Sequence, residues 1–191
     1  MGRREDVQRI NEEIAARFSK IEADISAAGS IAGLFEVLVD RIEREFSVPF
    51  VWLTLINRPN AAPLIEEVNA SESLKGRLCV ISSELCETML PEGLQPVLAN
   101  KDLQPFYKLM PSQRKYFVRS VAVVPFALGG QIIGTWNNGD ADADRYTAQM
   151  DTALLSSLAR RISAQLTQLA ASKHVAPDHK QDNEQPGGLH G

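Results

Sequence analysis

The sequence predicts an α+β domain in which an antiparallel sheet is covered by helices from both ends of the chain. Long helical patterns stand near the beginning and the end, and β-rich runs, including a hairpin, stand between them. The 191 residues, 44% of them hydrophobic, suffice for one folded domain with chain left over. We predict a helical segment at residues 1–29, the domain at 30–172 and a disordered tail at 173–191.

Composition argues against several classes of protein. Twenty basic residues against 24 acidic ones give a formal charge of -4 and no broad basic surface, so nucleic acid is not an expected partner. The longest apolar stretches, such as Val121 to Leu128, fall far short of the roughly 20 residues that span a bilayer. No apolar signal core opens the chain, and two cysteines fit a reducing compartment. We therefore expect a cytoplasmic protein that has no membrane partner.

A first helix is expected over Arg3 to Ala28, which contains no Pro and no Gly. Its apolar residues recur at helical spacing in a narrow seam, and its other faces are charged. Such a seam is typical of a helix that pairs with its own copy in a dimer, although a helix lying along the flank of its own domain fits the pattern as well. The seam residues are Val7, Ile10, Ile14, Phe18, Ile21 and Ile25.

The next residues predict a second helix and a central strand. Ile31 to Phe46 carries a wider apolar stripe and begins after Ser30, a good helix cap. Phe50 to Ile56 is rich in β-branched and aromatic residues, which favour a strand. The middle of the chain then predicts three short strands, the last at a sheet edge because it contains a proline, and one short helix. The strands are Leu64 to Val68, Arg77 to Ile81 and Leu94 to Leu98, and the helix is Ser83 to Met89, capped by Ser83.

The clearest pattern is a hairpin followed by a long helix. The runs Arg119 to Phe126 and Gln131 to Trp136 flank Gly129-Gly130, which accept the positive φ that a tight turn demands. The polar residues from Asn137 to Asp144 predict a turn. The last helix is then expected from Tyr146 or Thr147 to about Ser172.

These last segments resemble the carboxy-terminal half of a GAF domain. The resemblance is carried by Ser-Val-Ala-Val-Val-Pro-Phe-Ala-Leu-Gly-Gly-Gln-Ile-Ile-Gly-Thr-Trp from Ser120, by Asp144-Arg145-Tyr146-Thr147, and by Leu154 to Ile162. In that family a strand ending in Val-Pro-Leu or similar turns through Gly and returns with Ile-Gly, and Arg-Phe or Arg-Tyr opens the final helix. The resemblance covers roughly Ser30 to Ser172 and is closest to small stand-alone bacterial GAF-like proteins of unknown function.

The resemblance implies five or six antiparallel strands, with the terminal helices on one face and the ligand pocket, where one exists, on the other. It also implies dimerisation through the terminal helices, which adds Leu158 and Ile162 to the seam of the first helix. Plain core packing is the favoured explanation of each candidate pocket residue, and no cofactor can be named. The candidate ligand-binding residues are Trp52, Cys79, Ile81, Cys86, Met89, Phe106, Tyr107, Val124 and Trp136.

Taken together, these observations favour a non-catalytic sensory or regulatory module that acts as a homodimer and binds a small molecule. One alternative is a cysteine-dependent reductase of free methionine sulfoxide, because some GAF-fold enzymes work in this way. However, Cys79 and Cys86 lie seven positions apart with no CxxC and no nearby His, a spacing that suits neither zinc nor a dithiol couple. Another alternative is a protein-interaction module without a ligand. No metal site is expected, since Arg145 breaks the EF-hand spacing that Asp140 begins.

Overall fold

The structure is a computed structural model that describes residues 2–90, 93–113 and 117–174. Two helices come first, strands and α-helices then alternate through the middle, and three strands with no α-helix between them precede the C-terminal helix. The helices are α1 (Gly2–Ser26), α2 (Ile31–Phe46), α3 (Ala62–Ala70), α4 (Ser83–Met89) and α5 (Ala153–His174). The strands are β1 (Phe50–Ile56), β2 (Leu78–Ile81), β3 (Val97–Ala99), β4 (Ser120–Leu128) and β5 (Gln131–Asp140). Of the tail predicted at 173–191, Lys173 and His174 belong to α5, and the remainder lies outside the described residues.

The five strands form one sheet in the order β2-β1-β5-β4-β3. Three neighbouring pairs are antiparallel, whereas β1 and β2 are parallel. The predicted α+β class, with both terminal helices on one face, is confirmed, but the prediction of a wholly antiparallel sheet is wrong. The physical reason is the connection from β1 to β2, because a helical crossover returns the chain in the same direction.

That crossover is α3, where the sequence predicted a strand over Leu64 to Val68. Leu64 and Val68 are both buried, and their spacing of four positions places them on one side of a helix. Pro63 stands in the first turn of α3, where a proline costs no hydrogen bond. The prediction was wrong because five apolar-rich residues are too few to distinguish a helix from a strand by periodicity.

The remaining short elements of the middle are present with shifted bounds. β3 is an edge strand, as expected, but it begins at Val97 instead of Leu94 and ends at Ala99, so Pro96 lies before it. The helix at Ser83 to Met89 is present, but Ser82 rather than Ser83 caps it, since the Ser82 hydroxyl accepts a hydrogen bond from the Leu85 N–H at 3.3 Å. Among the described residues, no helix is long and apolar enough to cross a membrane.

Helices α1, α2 and α5 cover one face of the sheet, which we call the helix face. Side chains alternate along β1, so that Leu53 and Leu55 point to the helices while Trp52 points to the opposite side, here called the far face. The rings of Phe35 on α2 and Phe126 on β4 lie 5.2 Å apart across the helix-face core. This layer is the larger of the two hydrophobic cores.

The first and last helices run parallel to one another. The Ser157 hydroxyl donates to Glu22 Oε1 at 2.7 Å, and Gln165 Nε2 donates to the Ala28 carbonyl at 3.0 Å, so the residue numbers rise together along both helices. The C-terminal half of α1 therefore lies along the flank of the domain. Because α5 begins only at Ala153, the N-terminal half of α1 extends past its end.

The boundaries after the hairpin differ from the prediction. β5 continues to Asp140, so that Asn137 and Asn138, expected in a turn, are buried in a strand. Helix α5 begins at Ala153 instead of Tyr146 or Thr147, and the Asp151 carboxylate accepts from the Ala153 N–H at 2.6 Å. The turn was predicted because the last residues of β5 are polar. The helix was predicted to begin too early because residues 146–152 precede α5 without belonging to it.

Candidate functional site

The far face brings together most of the predicted pocket residues. It is covered by α4 and by the segment between β3 and β4, and its buried residues form a second hydrophobic core. Seven predicted residues belong to this layer: Trp52, Cys79, Ile81, Cys86, Met89, Phe106 and Tyr107. Val124 and Trp136 lie instead on the helix face, where both are fully buried. Those two residues are therefore placed away from any far-face site.

A group of buried polar side chains lies in the middle of the far face. Trp52 Nε1 and the Thr54 hydroxyl each donate to the carbonyl of Leu109, both at 2.8 Å. Asn137 Nδ2 donates to the Thr54 hydroxyl at 2.9 Å, and the Thr135 hydroxyl donates to Asn137 Oδ1 at 2.9 Å. We call the side chains of Trp52, Thr54, Thr135 and Asn137 the polar cluster. Asn137 Nδ2 also donates to the Trp52 carbonyl at 3.4 Å, and the two donors of Trp52 and Thr54 meet at the Leu109 carbonyl.

The strand pairing explains how the polar cluster assembles. Thr54 pairs with Thr135 and Trp52 with Asn137 in the antiparallel ladder of β1 and β5, so all four side chains point to the far face. Sequence reasoning found only Trp52. The available signal was the alternation of Thr135 and Asn137 around Trp136, but the prediction of a turn at Asn137 concealed it.

The acceptor belongs to the connection between β3 and β4. We call residues 100–113 the strap. It contains a short 3-10 helix over Pro105–Leu109, and Asp102 near its start has a φ of 51°. Leu109 and Met110 are buried at the end of that helix. The strap thus occupies the space above the polar cluster. Elsewhere, a cavity of about 40 Å³, room for a water molecule, is lined by Trp52, Pro111, Glu43 and Arg77 but by no other side chain of the polar cluster.

The two cysteines lie at the edge of this layer. Burial raises the pKa of the Cys86 thiol above its ordinary 9.0, and Arg58 opposes this shift only in part. Cys86 is therefore a protonated thiol at neutral pH, whereas a nucleophilic or redox-active cysteine requires the thiolate. Cys79 is half-buried, with its Sγ 3.7 Å from the Lys108 carbonyl. Within the described ranges, no group of three or more His, Cys, Asp or Glu side chains is placed to bind a metal ion.

The protruding half of α1 forms a second candidate surface. We call residues 4–14 the α1 overhang. Val7 and Ile10 on it are 55% and 50% exposed, while Ile14 is half-buried. The other predicted dimer residues have different surroundings, because they are packed inside the core of a single chain. These residues are Phe18, Ile21, Ile25, Leu158 and Ile162.

An open groove lies beside the overhang. Its volume is about 570 Å³, and it is bounded by α1, by the end of α2 and by residues 145–155. Met150 and Leu154 on its rim are 43% and 36% exposed. Burial raises the pKa of Tyr146 on its wall, so that this phenol stays neutral. The groove is therefore a mainly apolar surface continuous with the overhang.

Arg145 fixes the wall of this groove to α2. Its guanidinium donates to the carbonyl of Phe46 at the end of α2 and to Asp140 Oδ2 at 3.1 Å. A cation at a helix C-terminus satisfies free carbonyls and interacts favourably with the helix dipole. Arg145 is thus committed to structural contacts that join β5, α2 and the loop before α5.

No family model matches the sequence, and a search of the curated proteins finds no match. A comparison of structures finds the GAF domain from an Acinetobacter phosphoenolpyruvate-protein phosphotransferase, at 12% identity and a TM-score of 0.48. The match covers 84% of this chain and 96% of that domain. At this identity and TM-score the likeness carries no conclusion about the activity, ligands or partners of this chain.

Proposed function

We propose that the protein is a non-catalytic regulatory module that acts as a homodimer through the α1 overhang. The observation that carries this proposal is the exposed apolar stripe of Val7 and Ile10 on a helix that protrudes beyond the domain. Isolated helices shorter than about 12–15 residues are marginal in water. The rest of the chain covers the apolar side of α1 only from Ile14 onward, so Val7 and Ile10 have no packing partner within the described chain. A partner that covers Val7 and Ile10 would stabilise this half of the helix.

A second copy of the chain suits this surface. Met150 and Leu154 extend the apolar surface of the overhang into the groove, and four of the six exposed large hydrophobic residues in the described chain gather here. In a twofold dimer the overhang of one protomer can lie against the groove of the other, and the reverse contact follows by symmetry. Complete burial of a Val or Ile side chain contributes about 1.5–3 kcal/mol.

The chemistry of the far face supports a non-catalytic role. The protonated Cys86 lacks the form that a cysteine-dependent reductase needs, and Cys79 is already placed against a backbone carbonyl. The polar cluster supplies neither a base with a perturbed pKa nor a charged group. These observations favour regulation through contacts over turnover of a substrate.

Light scattering of the purified chain tests the dimer. The expected result is twice the chain mass for the wild type and the single-chain mass for Val7→Lys/Ile10→Lys, because two buried cations would face the partner. The matched control is Gln8→Lys/Ala16→Lys, which adds the same charge at exposed positions away from the stripe and is expected to remain dimeric. A monomeric wild type, or a dimer that tolerates the stripe variant, would contradict the proposal. Circular dichroism verifies that each variant is folded.

A further inference from the structure

The groove beside the α1 overhang continues inward past its exposed rim. Met150 and Leu154 form the rim, whereas other residues that line the groove are buried in the domain. We call these buried lining residues the inner wall: Phe18, Ile42, Val48, Leu98 and Asn138. The groove volume of about 570 Å³ falls within the range of small-molecule sites, roughly 300–1,000 Å³. The groove can therefore enclose a small organic molecule as well as carry a helix on its rim.

Two polar side chains meet at the inner wall. Asn138 is only 3% exposed, and its Oδ1 accepts a hydrogen bond from Trp136 Nε1 at 2.9 Å. Burial raises the pKa of Tyr146, although Arg145 and a hydrogen bond from Asn138 to the phenol oxygen act in the opposite direction. The phenol oxygen is thus an acceptor for the protein's own donors. Its O–H proton is the group that can donate to a ligand in the groove.

The charged groups around this phenol already have partners. Arg145 donates to Asp140 Oδ2 at 3.1 Å and to the Phe46 carbonyl, and the Asp151 carboxylate accepts from the Ala153 N–H. A ligand carboxylate would lie near Asp140 and Asp151 and would be buried without a cation of its own, which is costly. An uncharged acceptor on an apolar body suits the site better.

We propose that the inner wall binds an uncharged small molecule, whose apolar body packs in the groove and whose hydrogen-bond acceptor meets the Tyr146 hydroxyl. The site lies among α1, α2 and the start of α5, on the helix face of the sheet. It goes beyond the proposed homodimer, since the partner's stripe would contact the rim while the ligand lies further in. The whole site belongs to a single chain.

The test uses the full chain with Val7→Lys/Ile10→Lys, so that no partner's overhang covers the groove. Neither substituted residue lines the groove. Light scattering of the wild type decides the homodimer, whereas ligand titration of this variant decides the site. The two proposals can therefore fail separately: a monomeric wild type would contradict the homodimer and leave the site in place.

The indole protons of the two tryptophans report binding by NMR. Trp136 Nε1–H shares Asn138 with the groove, while Trp52 Nε1–H donates to the Leu109 carbonyl on the far face and serves as an internal control. The two signals are assigned with Trp52→Phe. Benzamide, an uncharged ring with one carbonyl, should shift the Trp136 signal at about 50 mM, above the millimolar Kd expected of so small a probe. The Trp52 signal should stay in place.

Benzoate is the matched ligand control, because it has nearly the same shape but carries a charge. It should shift neither indole signal. No Trp136 shift with benzamide, an equal shift with benzoate, or a larger shift of the Trp52 signal would overturn the proposal.

Tyr146→Phe tests the donor, because it removes the hydroxyl and keeps the ring. It should weaken benzamide binding about two- to tenfold, the usual effect of losing one hydrogen bond. The matched control is Tyr107→Phe, which removes the same group from the far face and should leave the affinity unchanged. An unchanged Trp52 signal shows that Tyr146→Phe is folded. Equal affinities of the two variants would overturn the assignment of the Tyr146 hydroxyl.

Discussion

At the scale of single residues, Gly134 shows how closely the sheet is packed against the helix-face core. A Cβ at this position would lie 2.5 Å from the Thr54 carbonyl oxygen and 3.0 Å from the Phe126 ring. The first neighbour is backbone of the central strand, which cannot move without disturbing the sheet. A glycine is therefore required here by space and not by φ.

We expect Gly134→Ala to lower the free energy of unfolding by about 1–3 kcal/mol, the usual cost of overpacking a core. Urea unfolding followed by circular dichroism measures the difference. The matched control is Gly29→Ala, since a Cβ there meets nothing within 4 Å. Its stability should equal or exceed that of the wild type. Equal stability of the two variants would contradict the packing argument.

Glu67 provides a pH-dependent contact at the same scale. Burial alone would raise the pKa of its carboxyl, but Lys173 and the N–H groups of Ala32 and Ile31 outweigh burial and lower the pKa below its ordinary 4.5. The N–H groups belong to the first turn of α2, where a carboxylate is also favoured by the helix dipole. The carboxylate thus joins α3, α2 and the end of α5.

The sign of the pH effect follows from the lowered pKa. Stabilisation by Glu67 is complete above pH 4.5 and is lost as the pH falls through the pKa of the folded state. Glu67→Gln should therefore be less stable than the wild type at pH 7, and the difference should shrink below pH 4.5. Urea unfolding of both proteins across this range measures it. A difference that stays constant down to pH 3 would show that the charge is not responsible.

At the scale of elements, α1 consists of two halves with different roles. Phe18, Ile21 and Ile25 belong to the helix-face core, whereas residues 4–13 are exposed. Deletion of residues 1–13 should therefore leave the stability of the monomer almost unchanged. Deletion of residues 1–28 should cost more than about 5 kcal/mol or prevent folding, because several core side chains are lost together.

Thermal unfolding of both truncations measures this difference. The experiment is done at a concentration where light scattering finds single chains, since dissociation of a dimer would change the apparent stability. A large loss on removing residues 1–13 alone would mean that the overhang supports the domain. In that case its exposed stripe would no longer need a partner to explain it.

The elements also show what the sequence can determine by itself. The hairpin of β4 and β5 was predictable because two β-rich runs flank a Gly-Gly turn with positive φ at both positions. The helix α3 was not, because its apolar positions are too few to establish a period. Asn137 was assigned to a turn because it opens the polar run up to Asp144, and its burial depends on partners that arrive from β1. Sequence patterns therefore predicted the elements that neighbouring residues determine, and not those that depend on contacts between distant segments.

At the scale of the whole molecule, the sheet separates two cores of unequal kind. The helix face is covered by α1 and α5, which come from the two ends of the chain, and by α2. The far face is covered by the strap and α4. The sequence could predict the existence of both faces from the alternation along β1. It could not predict which side chains share a face, and so it placed Val124 and Trp136 in the same site as Trp52.

The two faces should respond differently to the same loss of volume. Leu38 on α2 and Leu109 on the strap are both fully or almost fully buried, so Leu→Ala removes the same atoms from each core. Leu38→Ala should cost about 2–5 kcal/mol of global stability, because α2 cannot leave the sheet without unfolding the domain. Leu109→Ala should cost less than half as much, since the strap can detach while the helix-face core persists.

Urea unfolding gives the global cost of each substitution, and indole proton exchange shows where the loss occurs. In Leu109→Ala the Trp52 proton should accelerate by a larger factor than the Trp136 proton at low urea, because the Trp136 rate rises only with the small global cost. In Leu38→Ala both protons should accelerate together, because both then exchange through global unfolding. Equal global costs for the two variants would mean that the strap and the helices unfold as one unit. The far face would then be a second permanent core, with no independent motion.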